Sequence, residues 1–342
     1  MPGISRAMQP RCTIGASGSI VGFGGWSIGG RTPGETSYGD MDESVSIAAI
    51  EAALAQGITH FDTSPAYGNG RSERLIGATT KSYQDDVTVA TKVGIGGWDE
   101  PADYSERAIR TSIDMSLKRL NRDSIDIVYV HSPPAALFDE KPEVLSTLKS
   151  LQRAGVVRSV GVSCRAPEDG CSILERHTVD VFQVNLNMLD IRVVTSGLSQ
   201  LAAERGVSLI ARTPLCFGFL SGSVTASSVF SEGDHRRRWS REQIRLWSEG
   251  AAMVHRMLEV QPGREAVLAS LRFCLAIQGV RVVLPGISSP DEALINAEAG
   301  HLGPLDKASV ERVIDMNLRT SFFKPHGNPS SPSVERPMTL TE

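Results

Sequence analysis

Helix-period and strand-like segments alternate along almost the whole chain. In residues 44–55 the apolar positions fall on one face of a helix, as in helices that pack on a sheet. Gly57 follows as a helix stop, and residues 58–62 then form a short apolar strand. This order recurs, so the pattern predicts eight strands, over residues 21–24, 58–62, 87–91, 125–131, 159–162, 179–184, 208–211 and 282–284.

Each predicted strand is short and apolar, which is typical of a parallel sheet that is buried on both faces. Eight such βα units in about 280 residues favour an α/β fold, a (β/α)8 TIM barrel in a single domain. A doubly wound Rossmann sheet is the competitor, but the glycine clusters at 22–27 and 94–99 lack the third glycine of G-x-G-x-x-G. The predicted helices cover residues 44–55, 71–80, 105–120, 142–154, 167–176, 196–205, 263–278 and 290–299.

One connection does not follow this alternation of strands and helices, namely the long loop predicted over residues 213–262. Long connections in a compact domain are usually functional or disordered, and this one leaves the end of a barrel strand where barrel enzymes build their sites. Its basic run Arg236–Arg238 is interpreted either as a solvated face or as a phosphate clamp. The barrel itself is assigned to residues 13–320, between an N-terminal arm (1–12) and a flexible, proline-containing C-terminal tail (321–342).

Composition narrows the function classes. The 35 basic and 39 acidic residues give a net charge of −4, so neither nucleic acid nor an anionic membrane is an expected partner. No stretch reaches about 18 consecutive apolar residues, and the N-terminus lacks the apolar core of a secretory signal, so we expect a cytoplasmic protein. Five scattered cysteines without a C-x-x-C pair indicate reduced thiols rather than disulfides or a zinc site.

Polar side chains end the predicted strands and, in a barrel, point into one mouth. Asp62 ends strand two and Tyr67 follows it, while Lys92 and His131 end strands three and four. Lys92 and Asp62 favour each other's charged forms, and a cation beside Tyr67 is expected to lower the pKa of its phenol from about 10. Tyr67 can then exchange a proton with a substrate oxygen, and His131 can orient a carbonyl. This set suits proton transfer to a carbonyl.

The order and spacing of several motifs resemble the aldo-keto reductase superfamily over about residues 12–318. The likeness is greatest to the bacterial branch with arginine on strand seven. The motifs are G-F-G-G-W at 22–26, H-F-D-T-S-P-A-Y-G at 60–68, A-T-K-V-G at 90–94, V-H-S-P at 130–133, G-V-S at 161–163, F-Q-V-N at 182–185, P-L-x-F-G-F-L-S-G at 214–222 and L-P-G-I-S-S-P at 284–290.

The resemblance implies hydride transfer between NADP(H) or NAD(H) and an aldehyde, a ketone or the corresponding alcohol, without a metal. It implies a catalytic tetrad with Tyr67 as the general acid, assisted by Asp62, Lys92 and His131. Implied cofactor-binding residues are Trp26, Asp62, Ser163 and Gln183 near the nicotinamide, Arg212 stacked on its ring, Thr213, Leu215 and Gly222 over the pyrophosphate, and Gly286, Ser288, Glu292 and Asn296 around the adenosine.

Four positions depart from the family pattern. Cys164 replaces an asparagine, and Ser223 stands where a lysine often follows the glycine of the strap. Ser288 stands where an arginine or lysine meets a 2′-phosphate, and Glu292 adds a negative charge there. The usual preference of the family favours NADPH, whereas the charges at these positions favour NADH. A sugar or polyol dehydrogenase of the same fold, and a cofactor-binding, redox-sensing regulatory subunit, are the alternative functions.

Overall fold

Eight parallel strands, neighbouring one another in chain order, form a nearly closed barrel in the computed structural model, which describes residues 18–323. This confirms the predicted (β/α)8 fold. The strands are β1 (Phe23–Gly24), β2 (His60–Asp62), β3 (Thr88–Val93), β4 (Ile125–His131), β5 (Val157–Ser163), β6 (Val181–Asn185), β7 (Ser208–Arg212) and β8 (Val280–Leu284).

The barrel closes through isolated bridges between the segment around β1 and the segment around β8. Val21 pairs with Val283, and Gly24 pairs with Gly286, both in the parallel sense. A Cβ atom on Gly24 would lie 2.7 Å from the carbonyl oxygen of Pro285, closer than real Cβ contacts. Glycine at this position therefore allows the first strand to approach the last one.

All eight predicted helices are present, with ends that differ from the prediction by a few residues. They are the helices that begin at residues 43, 71, 106, 143, 167, 198, 264 and 290. The helices are α1 (Glu43–Ala55), α2 (Arg71–Thr79), α3 (Glu106–Leu120), α4 (Leu137–Glu140), α5 (Glu143–Arg153), α6 (Pro167–Arg176), α7 (Arg192–Thr195), α8 (Leu198–Glu204), α9 (Arg241–Leu258), α10 (Arg264–Ala276), α11 (Pro290–Leu302) and α12 (Lys307–Arg319).

The prediction of one long loop over 213–262 is wrong for its second half, where α9 spans 18 residues. The hydroxyl of Ser240 accepts a hydrogen bond from the backbone N–H of Gln243 at 3.2 Å and so caps the helix. Trp247, Ala251 and Val254 are buried on one face of α9, at the three- and four-residue spacing of an amphipathic helix. The connection therefore contains a packed helix as well as loop.

The C-terminal boundary also needs correction. Helix α12 was not predicted, and the segment after it packs on α9: Phe322 is buried, and Gln243 Nε2 donates to its carbonyl oxygen at 2.8 Å. Residues 321–323 therefore belong to the packed structure and not to a flexible tail. The predicted arm (1–12) and the rest of the predicted tail (324–342) lie outside the described residues.

Two apolar regions support the barrel. The larger one fills the space between the strands and the surrounding helices. The smaller one consists of strand residues, namely Ala90, Ile127, Tyr129, Val181, Ile210, Val282 and Leu284. The polar ends of the strands come after these apolar positions and meet at one mouth of the barrel. Within residues 18–323, no helix has the length and apolar character needed to cross a membrane.

Candidate active site

A buried ion pair joins the ends of β2 and β3. The Nζ of Lys92 donates to Asp62 Oδ1 at 2.6 Å and to the carbonyl oxygen of Thr63 at 2.9 Å. The Lys92 side chain is fully buried, and burial alone would lower its pKa. The charges of Asp62 and Tyr67 and their hydrogen bonds to the ammonium outweigh burial, so the pKa of Lys92 is raised. Lys92 is thus a permanent cation at this point.

Tyr67 lies on the loop between β2 and α2, beside this cation. The Nζ of Lys92 is 4.7 Å from the centroid of the Tyr67 ring. Burial raises the pKa of the phenol above its ordinary value of 10.0, and the charge of Lys92 opposes this without reversing it. The prediction of a lowered pKa is therefore wrong, because it ignored burial. Tyr67 keeps its proton at neutral pH, as a proton donor must.

His131, at the end of β4, completes the predicted tetrad. Its ring centroid is 6.2 Å from that of Tyr67, edge to face, and 5.5 Å from that of Trp98. The Nδ1 atom of His131 is 3.4 Å from the hydroxyl of Ser64. Burial, together with the positive charges of Lys92 and Arg212, holds the pKa of His131 well below its ordinary value of 6.5. The imidazole is therefore neutral at neutral pH.

Asp62 also connects to the ends of β5 and β6. Gln183 Nε2 donates to Asp62 Oδ2 at 2.7 Å, and Ser163 Oγ donates to Gln183 Oε1 at 2.9 Å. Each Asp62 oxygen thus accepts a hydrogen bond, one from Lys92 and one from Gln183. Gln183 lines the cavity described next, whereas Ser163 is fully buried behind it. The chain of contacts fixes the carboxylate that holds Lys92 in place.

A cavity of about 420 Å³ opens at this mouth of the barrel and extends from Asp62 and Tyr67 to Ser288 and Glu292. Its size is that of a small-molecule site. Eleven of the predicted site residues line it, while Lys92, Ser163, Gly222 and Asn296 lie outside the lining. The eleven are Trp26, Asp62, Tyr67, His131, Gln183, Arg212, Thr213, Leu215, Gly286, Ser288 and Glu292.

The segment after β7 crosses the cavity with an unusual backbone. Thr213 and Phe217 both have positive φ angles, of 58° and 56°. The hydroxyl of Thr213 donates to the carbonyl oxygen of Arg212 at 2.7 Å. Gly222 also has a positive φ of 79°, and a Cβ atom there would lie 2.6 Å from the Cβ of Pro262. Glycine at 222 therefore allows the backbone of the segment to take this conformation. The segment in turn holds Leu215 in the cavity wall.

The far end of the cavity is formed by the turn from β8 into α11. Both the backbone N–H and the hydroxyl of Ser288 donate to Glu292 Oε2, at 2.7 and 2.8 Å. Asn296, one turn further along α11, is buried. The carboxylate of Glu292 thus occupies the donors that Ser288 would otherwise offer to a ligand.

Several lining residues were not among the predicted site residues, including Tyr38, Met41 and Phe217. The loops after β1 and β7 meet beside Tyr38, where the backbone N–H of His235 donates to the carbonyl oxygen of Ser37 at 2.8 Å. Local pattern carries no signal for this contact, because it joins residues about two hundred positions apart in the chain.

The arginines of the run Arg236–Arg238, in the connection after β7, lie in two different environments. Arg236 lines the cavity, pairs with Asp234 at 2.6 Å and lies 5.0 Å from the ring centroid of Tyr38. Arg237 pairs with Glu35 at 2.6 Å, outside the cavity. The run is therefore neither wholly a solvated face nor wholly directed at the cavity. Among the described residues, no group of three or more His, Cys, Asp or Glu side chains is placed to hold a metal ion.

Comparison with known proteins places this chain in a family. The model of the Aldo/keto reductase family matches residues 20–317, which is most of the chain. The chain belongs to this family. It is an NAD(P)-dependent oxidoreductase, as the sequence resemblance implies.

Three relatives illustrate the range of the family. Aldo-keto reductase YhdN of Bacillus subtilis is 29% identical over 340 residues, covering 96% of this chain and 97% of that protein. The structure of the glycerol dehydrogenase AKR11B4 from Gluconobacter oxydans has a TM-score of 0.71 at 25% identity and covers 94% of both chains. An aldo/keto reductase from Klebsiella pneumoniae, in complex with NADP and acetate, shares the fold with a TM-score of 0.64 at 19% identity, covering 91% of this chain and 96% of that one.

Proposed function

We propose that this aldo/keto reductase reduces an aldehyde or ketone with Tyr67 as the proton donor, and oxidises the corresponding alcohol in reverse. The observation that supports this most is the placement of a buried, permanently charged Lys92 against the ring of a phenol that lines the cavity. A neutral phenol beside a fixed cation can release its proton in the transition state, because the cation stabilises the phenolate that forms.

The other two residues of the tetrad support this step. Asp62 keeps Lys92 charged and fixed in position through the 2.6 Å hydrogen bond. His131 lines the cavity as a neutral imidazole and can donate one ring N–H to the substrate oxygen, which orients the carbonyl towards Tyr67. In this step the proton of the Tyr67 hydroxyl moves to the substrate oxygen.

The residues of the cavity fit a nicotinamide dinucleotide. The lining of the cavity reaches from the tetrad to Ser288, and Arg212 Nε is buried in its wall with no hydrogen-bond partner among residues 18–323. A dinucleotide held there would supply the hydride, that is, the hydrogen and the two electrons that reduce the carbonyl carbon. Trp26, Gln183 and Arg212 would hold the nicotinamide end, Thr213, Leu215 and Gly222 with its segment would cover the middle, and Gly286, Ser288, Glu292 and Asn296 would hold the adenosine end, with Ser163 acting through Gln183.

The walls near the tetrad are largely aromatic. Trp26 and Tyr38 have ring centroids 5.0 Å apart, and Trp98 lies against His131. Such walls displace water from the reacting carbonyl and contact the apolar part of a substrate. This supports a small carbonyl compound as the partner of the site.

A polyol or sugar dehydrogenase is the second candidate. It is favoured by the similarity to the Gluconobacter oxydans structure, a glycerol dehydrogenase that covers 94% of this chain. The same tetrad would then work mainly in the direction of oxidation, with Tyr67 accepting the proton of the alcohol.

Replacement of Tyr67 by phenylalanine tests the proposal, with Tyr83→Phe as the matched control because Tyr83 is 46% exposed and lies outside the cavity. Turnover is measured on a panel of aldehydes and ketones with NADPH and NADH, and on polyols with NADP⁺ and NAD⁺. We expect Tyr67→Phe to lower kcat by at least about 10²-fold on every substrate and Tyr83→Phe to leave it unchanged. Undiminished turnover in Tyr67→Phe would show that another group donates the proton.

A further inference from the structure

Four charged side chains line the cavity, and three of them have a partner in the described structure. Asp62 pairs with Lys92, Arg236 pairs with Asp234, and Glu292 accepts two hydrogen bonds from Ser288. The fourth is Arg212, at the end of β7. Its positive charge is not neutralised by a pair of this kind.

Arg212 has a carbonyl partner but no carboxylate partner. Its Nη2 donates to the carbonyl oxygen of Cys164 at 2.9 Å, and its Nε is buried with no hydrogen-bond acceptor among the described residues. No described Asp or Glu side chain comes within ion-pair distance of it. Buried polar groups are normally hydrogen-bonded, so an unpartnered guanidinium N–H in a cavity wall points to a ligand.

The guanidinium stays charged and faces the reacting end of the cavity. Burial lowers the pKa of Arg212, while the charges of Tyr67, Cys164 and Asp62 oppose that change. An arginine does not lose its proton under these conditions. Arg212 donates to Cys164, whose neighbour Ser163 is hydrogen-bonded through Gln183 to Asp62, so the cation lies at the end of the cavity that holds Asp62 and Tyr67.

We propose that Arg212 selects the oxidation state of the dinucleotide by charge, so that the cavity binds the reduced form in preference to the oxidised form. This inference rests on the proposed function. Hydride transfer requires the nicotinamide ring to contact a substrate held by Tyr67, which brings the ring to the end of the cavity where Arg212 lies. The oxidised ring carries a positive charge and the reduced ring is neutral, so an unpaired guanidinium repels only the oxidised form.

The neighbouring charges do not cancel this repulsion. Asp62 is the carboxylate at this end, and its oxygens are engaged by Lys92 and Gln183. Lys92 adds a second cation, so the group formed by Asp62, Lys92 and Arg212 is net positive. Arg212→Gln removes the excess charge and keeps a planar hydrogen-bonding side chain for Cys164.

Binding measurements without substrate test the proposal. The quenching of tryptophan fluorescence reports dinucleotide binding, because Trp26 and Trp98 line the cavity. The Kd values of NADH, NAD⁺, NADPH and NADP⁺ are compared for the wild type, Arg212→Gln, Arg212→Lys and Arg110→Gln. The last is a matched loss of one charge at the surface, where Arg110 pairs with Glu106 on α3.

We expect the ratio of Kd values, oxidised over reduced, to fall by about tenfold or more in Arg212→Gln, and to remain near the wild-type value in Arg212→Lys and Arg110→Gln. An equal loss of affinity for both forms in Arg212→Gln would overturn the proposal, because Arg212 would then bind a phosphate or the amide and not sense ring charge. An unchanged ratio would overturn it as well.

A measurement on the wild type alone tests the proposal even if the Arg212 variants do not fold. ADP-ribose has the phosphates and the adenosine but no nicotinamide ring. We expect NAD⁺ to bind no more tightly than ADP-ribose, and NADH to bind more tightly than both. Binding of NAD⁺ tenfold tighter than ADP-ribose would contradict the inference while leaving the proposed function intact. Failure of the wild type to bind any dinucleotide would instead refute the proposed function itself.

Discussion

The ammonium of Lys92 lies 4.7 Å from the centre of the Tyr67 ring and 2.6 Å from Asp62 Oδ1. Burial disfavours the charged form of both groups, so it raises the pKa of Tyr67, whereas at Lys92 the interactions with Asp62 and Tyr67 outweigh burial and raise the pKa. This arrangement leaves a protonated phenol in contact with a cation. The reaction is therefore expected to use the neutral phenol as its resting state.

The pH dependence of carbonyl reduction follows from the directions in which the pKa values of Tyr67 and His131 are shifted. The proposed role of Tyr67 requires its proton, and burial raises the pKa of Tyr67 above 10.0. The proposed role of His131 requires a neutral ring, and its pKa lies well below 6.5. We expect kcat/KM for reduction to be flat from about pH 6.5 to about pH 9. A decline centred near pH 8 in the wild type, shared by the Tyr83→Phe control, would contradict this assignment of protonation states.

Replacement of Asp62 by asparagine is expected to damage both stability and turnover. Lys92 would keep a fully buried charge without its carboxylate, and breaking a buried pair from one side costs about 3–5 kcal/mol. Urea unfolding measures the loss, with Asp114→Asn on the exposed face of α3 as control. Equal stability of both variants would show that Lys92 does not depend on Asp62.

Glu292→Gln is expected to raise the affinity for NADPH more than that for NADH. The carboxylate holds both donors of Ser288 and, if the adenosine lies here, repels a 2′-phosphate of charge near −2. We expect a gain of about tenfold for NADPH and less than about twofold for NADH, measured by fluorescence titration. Glu311→Gln on the surface of α12 is the control. Equal gains for both cofactors would place the 2′-position elsewhere.

Phe322→Ala is expected to destabilise the protein by about 3–5 kcal/mol, as for other buried phenylalanines. The side chain is 4% exposed, and its ring lies against Gly250 of α9. Leu318→Ala, at a position 64% exposed, is the control and should change the free energy of unfolding by less than about 0.5 kcal/mol. If the two variants unfold alike, residues 321–323 contribute no packing in solution.

The barrel could be predicted from the sequence because the pattern that indicates it is local. Helical periodicity and short apolar strands repeat, and the tetrad residues follow strands whose ends must meet at one mouth. Helix α9 was not predicted, although Trp247, Ala251 and Val254 have a helical period, because the Ser- and Gly-rich and then basic residues before it are typical of a loop.

Features that depend on tertiary contact could not be predicted in the same way. The contact of His235 with Ser37 joins distant parts of the chain, and the hydrogen bond from Gln183 to Asp62 depends on the shape of the barrel interior. The direction of the Tyr67 pKa shift is a similar case. A neighbouring cation can be inferred from sequence, but the depth of burial that outweighs it cannot.

A double-mutant cycle on Lys92 and Tyr67 tests the central claim most directly. The kcat/KM for reduction is measured for the wild type, Lys92→Met, Tyr67→Phe and the double variant, with dinucleotide binding confirming that each is folded. If Lys92 acts through the phenol of Tyr67, its removal costs little once that phenol is gone, so the double variant should be within about threefold of Tyr67→Phe. Losses that multiply would contradict the account, since Lys92 would then act independently of Tyr67.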